Sequence, residues 1–161
     1  VITAGAWTKT ETVVILELTS VVKGKALKLS APIDSADLTI DAAGAVLTMT
    51  VGLDRVKSTN FLLDLAVGAF LSSYGAKELL FVGSGPSGVD PLLVGGVATS
   101  GRAAVDLELA LVPQEFAGTE LVLAVGGTAV FQDVDVPIPG IGRLSDLTLQ
   151  VWSVIALGLV T

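Results

Sequence analysis

Between Ala104 and Leu111 the residues Val105, Leu107, Leu109 and Leu111 alternate with Ala104, Asp106, Glu108 and Ala110. A period of two is the signature of an extended strand with one buried face. The same period runs through Val46 to Leu53, where Leu47, Met49, Val51 and Leu53 alternate with Thr48, Thr50 and Gly52, and again through Leu147, Leu149 and Val151 near the end. Val13 to Val22 and Glu120 to Val125 read as strands through their β-branched content, and Ala26 to Leu29 is a shorter candidate. Turn chemistry falls between these runs at Lys23-Gly24-Lys25, Ala31-Pro32, Asp41 to Gly44, Gly83 to Gly88, Gly95-Gly96, Gly126-Gly127 and Pro137 to Gly142. Many short strands so punctuated in 161 residues predict a single all-β domain over residues 1–161, a sandwich or a barrel. One stretch departs from the pattern. Phe61, Leu62, Leu65, Ala66 and Phe70 recur at helical spacing after Thr59 or Asn60 as N-cap, which predicts one short helix over about 60–73, lying near a barrel end.

Composition excludes several kinds of chemistry. The chain has no cysteine and no histidine, which removes disulfides, thiol chemistry, the usual zinc sites and imidazole-based triads. Sixteen acidic against nine basic residues give a net charge of −7 and exclude a nucleic-acid footprint, which needs a cationic face. At 52% hydrophobic and only 16% charged residues, the chain is greasy enough to raise a membrane or an apolar ligand cavity. No transmembrane segment is expected, because no run reaches about 18 uninterrupted apolar residues; Phe61 to Leu71 is broken by Asp64. The sequence opens at Val1 without a charged leader or cleavage signal, so an exported protein would be read here in its mature form.

Val13 to Leu16 and Leu121 to Val125 are apolar at every position, hence on both strand faces. A closed barrel needs only its inner face apolar. The surplus predicts packing against the helix, the lining of a cavity, or contact with another subunit, so a homodimer is a possible partner arrangement.

Trp7 stands near the first strand; Lys57 to Asn60 and Leu63 to Val67 come before a strand over Tyr74 to Ser84. Val94 to Gly101, Arg102 and Val105 to Leu109 make a strand-turn-strand, and Phe131 to Ile141 leads into Ser145 to Leu149 as the closing segment. In this order the motifs resemble the YceI-like family of lipid-binding bacterial proteins, with Lys57 to Asn60 and Leu63 to Val67 in the family's helix position. Where the family carries a helix histidine and its arginine partner, this chain has Ala66 and Leu63, so the headgroup contacts of those residues do not carry over. The resemblance implies an extended antiparallel eight-stranded β-barrel, lipocalin-like, often dimeric and exported to the periplasm or beyond, holding a long polyisoprenoid or isoprenoid-quinone-like lipid without catalysis.

Trp7, Phe61, Leu62, Leu65, Phe70, Tyr74, Phe81, Phe116 and Phe131 are the candidate hydrophobic lining for such a lipid, although core packing draws on the same residue types. Lys23, Lys25 and Lys28 form the one basic cluster. They suit either an anionic headgroup at a cavity mouth or the protection of a strand edge. Other motifs read as surface features. Gly83 to Gly88 has dinucleotide-fingerprint spacing, but Pro86 and Asp90-Pro91 deny it the helix that would bind a pyrophosphate. The carboxylate pairs Asp106/Glu108 and Asp133/Asp135 sit at i and i+2, suggesting a glycosidase only inside a cleft. Asp34, Asp37 and Asp41 lack calcium-loop spacing. No catalytic residue, metal or cofactor is expected. A long apolar lipid carrier is the leading expectation, with a self-assembling β-module whose apolar faces form subunit interfaces as the alternative.

Overall fold

The computed structural model describes residues 2–22, 24–58, 77–101, 103–131, 136–138, 142–144 and 146–160. Its elements are β1 (Gly5–Lys9), β2 (Ile15–Val22), β3 (Lys25–Asp41), β4 (Gly44–Gly52), a 3-10 turn (Leu53–Arg55), β5 (Lys57–Ser58), β6 (Glu78–Gly85), β7 (Leu92–Ser100), β8 (Ala103–Ala117), β9 (Glu120–Phe131), β10 (Val136–Ile138), β11 (Gly142–Leu144) and β12 (Leu147–Val160). The expected helix over about 60–73 lies outside the described residues.

Antiparallel neighbours run β2-β3-β4-β6-β7-β8-β9-β12, and β12 pairs back onto β2, closing an eight-stranded barrel. One position in the wall is shared. β2 fills the gap between β3 and β12 over the lower half, and β1 fills it over the upper half, with Trp7 opposite both Leu38 and Leu159. β5 adds to β3 below β4, pairing Ser30 with Lys57, and β10 pairs β11 as a separate hairpin. Strand period alone left sandwich and barrel open; the β9–β12 and β12–β2 ladders bear out the eight-stranded antiparallel barrel that the resemblance implied.

Alternation places the core. On β4, Ala45, Leu47, Met49 and Val51 are buried; on β9 and β12, Leu121, Leu123, Val125, Gly127 and Ala129 face Leu157, Ile155, Ser153, Val151 and Leu149 in turn. Two register shifts interrupt the period. In β3 the shift between Ile33 and Ser35 moves burial from odd positions (Ala31, Ile33) to even ones (Ala36, Leu38, Ile40). A second, between Pro113 and Glu115 in β8, brings Phe116 opposite Leu121. Arg55 secures the β3 bulge by an ion pair with Asp34, whose hydrogen bond raises the guanidinium pKa further above its ordinary value. Its head group lies over Gly52, where a Cβ would meet it at 2.2 Å.

An eight-stranded barrel is just wide enough for side chains to fill, and here large residues lie over glycines of the inner wall. A Cβ on Gly83 would stand 2.4 Å from the Phe81 ring, and one on Gly127 would stand 2.9 Å from Leu109 Cδ2. Gly83→Ala is therefore expected to cost about 1–3 kcal/mol by overpacking, and Phe81→Ala about 3–5 kcal/mol by leaving a cavity. Because each change relieves the other's defect, the double variant should be more stable than the sum implies. Urea denaturation of the four proteins in this cycle checks the coupling; strict additivity contradicts the packing described.

Candidate ligand-binding end of the barrel

Strand direction sorts the turns into two ends. At one end lie Asp41–Gly44, residues 86–91 and residues 118–119; at the other lie the β2–β3 turn at Gly24, residue 101 and the points where the chain departs after Ser58 and returns at Lys77. Each end is built differently.

The first end is closed. Asp41 Oδ1 accepts hydrogen bonds from the Ala43 and Gly44 amides at 2.8 and 3.1 Å, and the Ser87 hydroxyl donates to the Asp41 carbonyl at 2.7 Å. Trp7 is 1% exposed, its indole N–H donating to the Thr3 carbonyl at 3.0 Å. Its ring meets Phe116 edge to face, with centroids 5.9 Å apart. Together with buried Ile2, this pair stops the barrel. Below it the inner wall is filled: Leu38, Leu47, Met49, Phe81, Leu109, Leu111, Leu121 and Leu123 are each at most 2% exposed.

Toward the other end several inward positions are more accessible, although Val51, opposite Leu79, stays 1% exposed. Val151 is 6% and Leu107 and Leu149 are 8% exposed; beyond them Leu18, Leu27, Leu29, Leu79, Val105 and Leu147 are only half-buried. Leu18 faces Leu29 on one side and Val151 on the other, so these residues share the inner surface. An apolar funnel results, supported by backbone ladders on every side. It offers contact area for hydrocarbon; among the described residues it presents no carboxylate pair or other reacting group.

Of the expected lining residues, Trp7 and Phe81 belong to the filled part of the interior, and Phe116 sits at the closed rim against Trp7. Phe61, Leu62, Leu65, Phe70 and Tyr74 lie outside the described residues, and Phe131 is described in its backbone alone, opposite Leu147. The half-buried funnel leucines and Val105 were not singled out from the sequence, because alternation marks them as inward without telling one end from the other. Lys28 stands on the outer face, 3.9 Å from Glu17. Lys25 begins β3 at the open end, and Lys23 lies outside the described residues.

Of the remaining motifs, Gly83 to Gly88 runs from the last residues of β6 into residues 86–91, which lead directly into β7 with no helix at the glycines. Asp106 and Glu108 are exposed on the outside of β8, facing Val97 and Gly95 of β7. Asp133 and Asp135 lie outside the described residues. Among the described residues no three of His, Cys, Asp and Glu converge as metal ligands, and no helix is long and apolar enough to cross a membrane.

Comparison with solved structures places this barrel beside a polyisoprenoid binding domain from Saccharophagus degradans implicated in plant cell wall breakdown. The two superpose with a TM-score of 0.57 over 96% of this chain and 98% of that one, at 11% sequence identity. They share a fold. No protein-family model matches the sequence, and no curated protein does.

The two tryptophans report on the two environments. Trp7 is sealed in the closed end, whereas Trp152 is 49% exposed on the outer wall. The variant Trp152→Phe is expected to leave blue-shifted emission that acrylamide barely quenches, and Trp7→Phe to leave a red-shifted, readily quenched indole. Quenching constants that do not separate the variants would contradict the closed end.

Proposed function

We propose that this protein is a non-enzymatic binder of a long apolar lipid, of polyisoprenoid or isoprenoid-quinone type, received at the end marked by the β2–β3 turn. The observation that carries the reading is the rise in exposure along an apolar inner wall, from at most 2% at Leu47 and Leu109 to half-buried Leu18, Leu79 and Leu147. The likeness of fold to a domain described as polyisoprenoid binding supports it. Burying hydrocarbon is non-directional and worth about 0.8 kcal/mol per methylene, so a chain of some tens of carbons needs no histidine to hold it. Because the middle of the barrel is filled by its own side chains, the lipid seats in the funnel and against residues that continue from it. Lys23 and Lys25 flank this end in sequence and are the proposed contacts for an anionic headgroup. Carriage in the periplasm or outside the cell fits such a binder.

Native mass spectrometry after detergent-free purification, followed by titration with decaprenyl phosphate and with a ubiquinone, tests the proposal. Retained or acquired lipid is expected. The double variant Leu79→Asp/Leu147→Asp should weaken both ligands at least tenfold, because a carboxylate resists burial under hydrocarbon. Lys23→Gln/Lys25→Gln should weaken the phosphate alone. A barrel that is always empty and refuses both lipids overturns the reading.

A further inference from the structure

Just above the funnel the inner wall is bare on one side. Gly83 of β6 faces Gly96 of β7, so no side chain enters the lumen from either. Gly96 has no alternative, because a Cβ there would meet the Val82 carbonyl oxygen at 1.9 Å. One step nearer the open end, Phe81 faces Ala98. The Phe81 ring is 0% exposed and leans toward the closed end, over Gly83. A Cβ on Gly83 would lie 2.4 Å from its Cζ and 2.7 Å from its Cε2. The ring thus occupies the space that two glycines and an alanine leave along this part of the wall.

On its other side the ring borders the funnel. Leu79 is the next inward residue of β6, and Val105 of β8 faces Ala98; both are half-buried. Other large core residues do not hold this position. Met49, beside Phe81 on β4, lies behind Val51, which is 1% exposed. Leu47 lies deeper, opposite Gly83.

We propose that Phe81 is the stop that sets how long a hydrocarbon chain the barrel takes. The inference depends on the lipid-binding reading and adds a length preference to it. A chain entering along β6 and β7 passes Leu79 and Val105 and ends against the ring. Two substitutions move the stop in opposite directions. Removing the ring opens the space bounded by Gly83, Gly96 and Ala98, which joins the funnel and holds about one isoprene unit, a group of similar bulk. A methyl group added at Gly83 drives the ring the other way, toward Leu79 and Val105, and shortens the funnel. Each buried methylene strengthens binding about fourfold. One isoprene unit gained or lost at the ring therefore changes affinity by about tenfold or more.

Competition among prenyl phosphates from farnesyl to decaprenyl, mixed in equal amounts with the purified chain and read by native mass spectrometry, tests the proposal. Their shared headgroup cancels, so the bound shares report chain length alone. For the unaltered protein the share is expected to rise with each isoprene unit and to level off where the tip meets the ring. Phe81→Ala should move the levelling point about one unit longer, with about a tenfold gain for that homologue. Phe81→Val, which keeps more of the packing, should move it the same way by less, and Gly83→Ala should move it shorter. Circular dichroism identifies the folded variants, and any one of them decides the matter. A levelling point that stays in place in a folded variant, or a share that never levels, overturns the stop and leaves lipid binding standing. A chain that takes up no prenyl phosphate of any length overturns both.

Discussion

Closure of the sheet through β12 is the constraint on which the rest depends. β12 pairs with β9 from Leu147 to Gly158 and offers its other edge first to β2 and then to β1. Once that ladder forms, the barrel has no free edge along this seam, and the facing of every side chain is fixed, because a slip of one residue would turn Leu149, Val151, Ile155 and Leu157 outward. Where a strand is apolar on both faces, as at Leu121 to Val125, hydrophobicity alone does not select the register. Closure does, aided by the small residues that fit only inside, such as Gly83 beneath Phe81 and Gly127 beside Leu109.

The same constraint explains why the two ends differ. Strand ends that project beyond the closed ladder must be covered or left accessible. At one end the N-terminal segment supplies the cover: Ile2 and Trp7 turn inward, Thr3 accepts the indole hydrogen bond, and the bulge in β8 brings Phe116 over them. At the other end Leu18, Leu27, Leu29, Leu79, Val105 and Leu147 continue the inner wall past the filled region and stay half-buried. An apolar wall that outruns its own packing is where hydrocarbon gains most by leaving water.

Much of the fold was legible because alternation is a direct projection of the pleat. β4 and β8 were anticipated within a few residues of their starts, and the inward set of β8 follows from Val105, Leu107, Leu109 and Leu111 alone, whereas Ala31-Pro32, Gly95-Gly96 and Gly126-Gly127, read as turns, lie inside β3, β7 and β9. β3 was visible only as Ala26 to Leu29 because the bulge at Asp34 changes the buried parity and the outer face carries Lys28, Ser30, Ser35 and Asp37. β12 was shortened in the same way, since Trp152 and Val154 outside make its alternation hard to see. The site was less legible than the fold. Aromatic residues drew attention as lining, and Trp7 and Phe81 are the largest fully buried side chains of the interior. Position along the barrel axis, which separates plug from funnel, is set by the stagger of strands and has no local signature.

A likeness of fold at 11% identity is intelligible in these terms. Closure fixes which positions face inward, and packing then asks only that the volumes at each level add up: Ala36 faces Met49, Ala98 faces Phe81, and Ala129 faces Leu107 and Leu149. Many combinations of large and small residues meet that demand, so sequence can drift while the barrel persists. An apolar ligand imposes the same loose requirement. What it recognises is the length and girth of a greasy surface, properties that belong to the ring of strands rather than to any single side chain. Polar chemistry is then free to change, and a chain without any histidine keeps the same inward apolar surface.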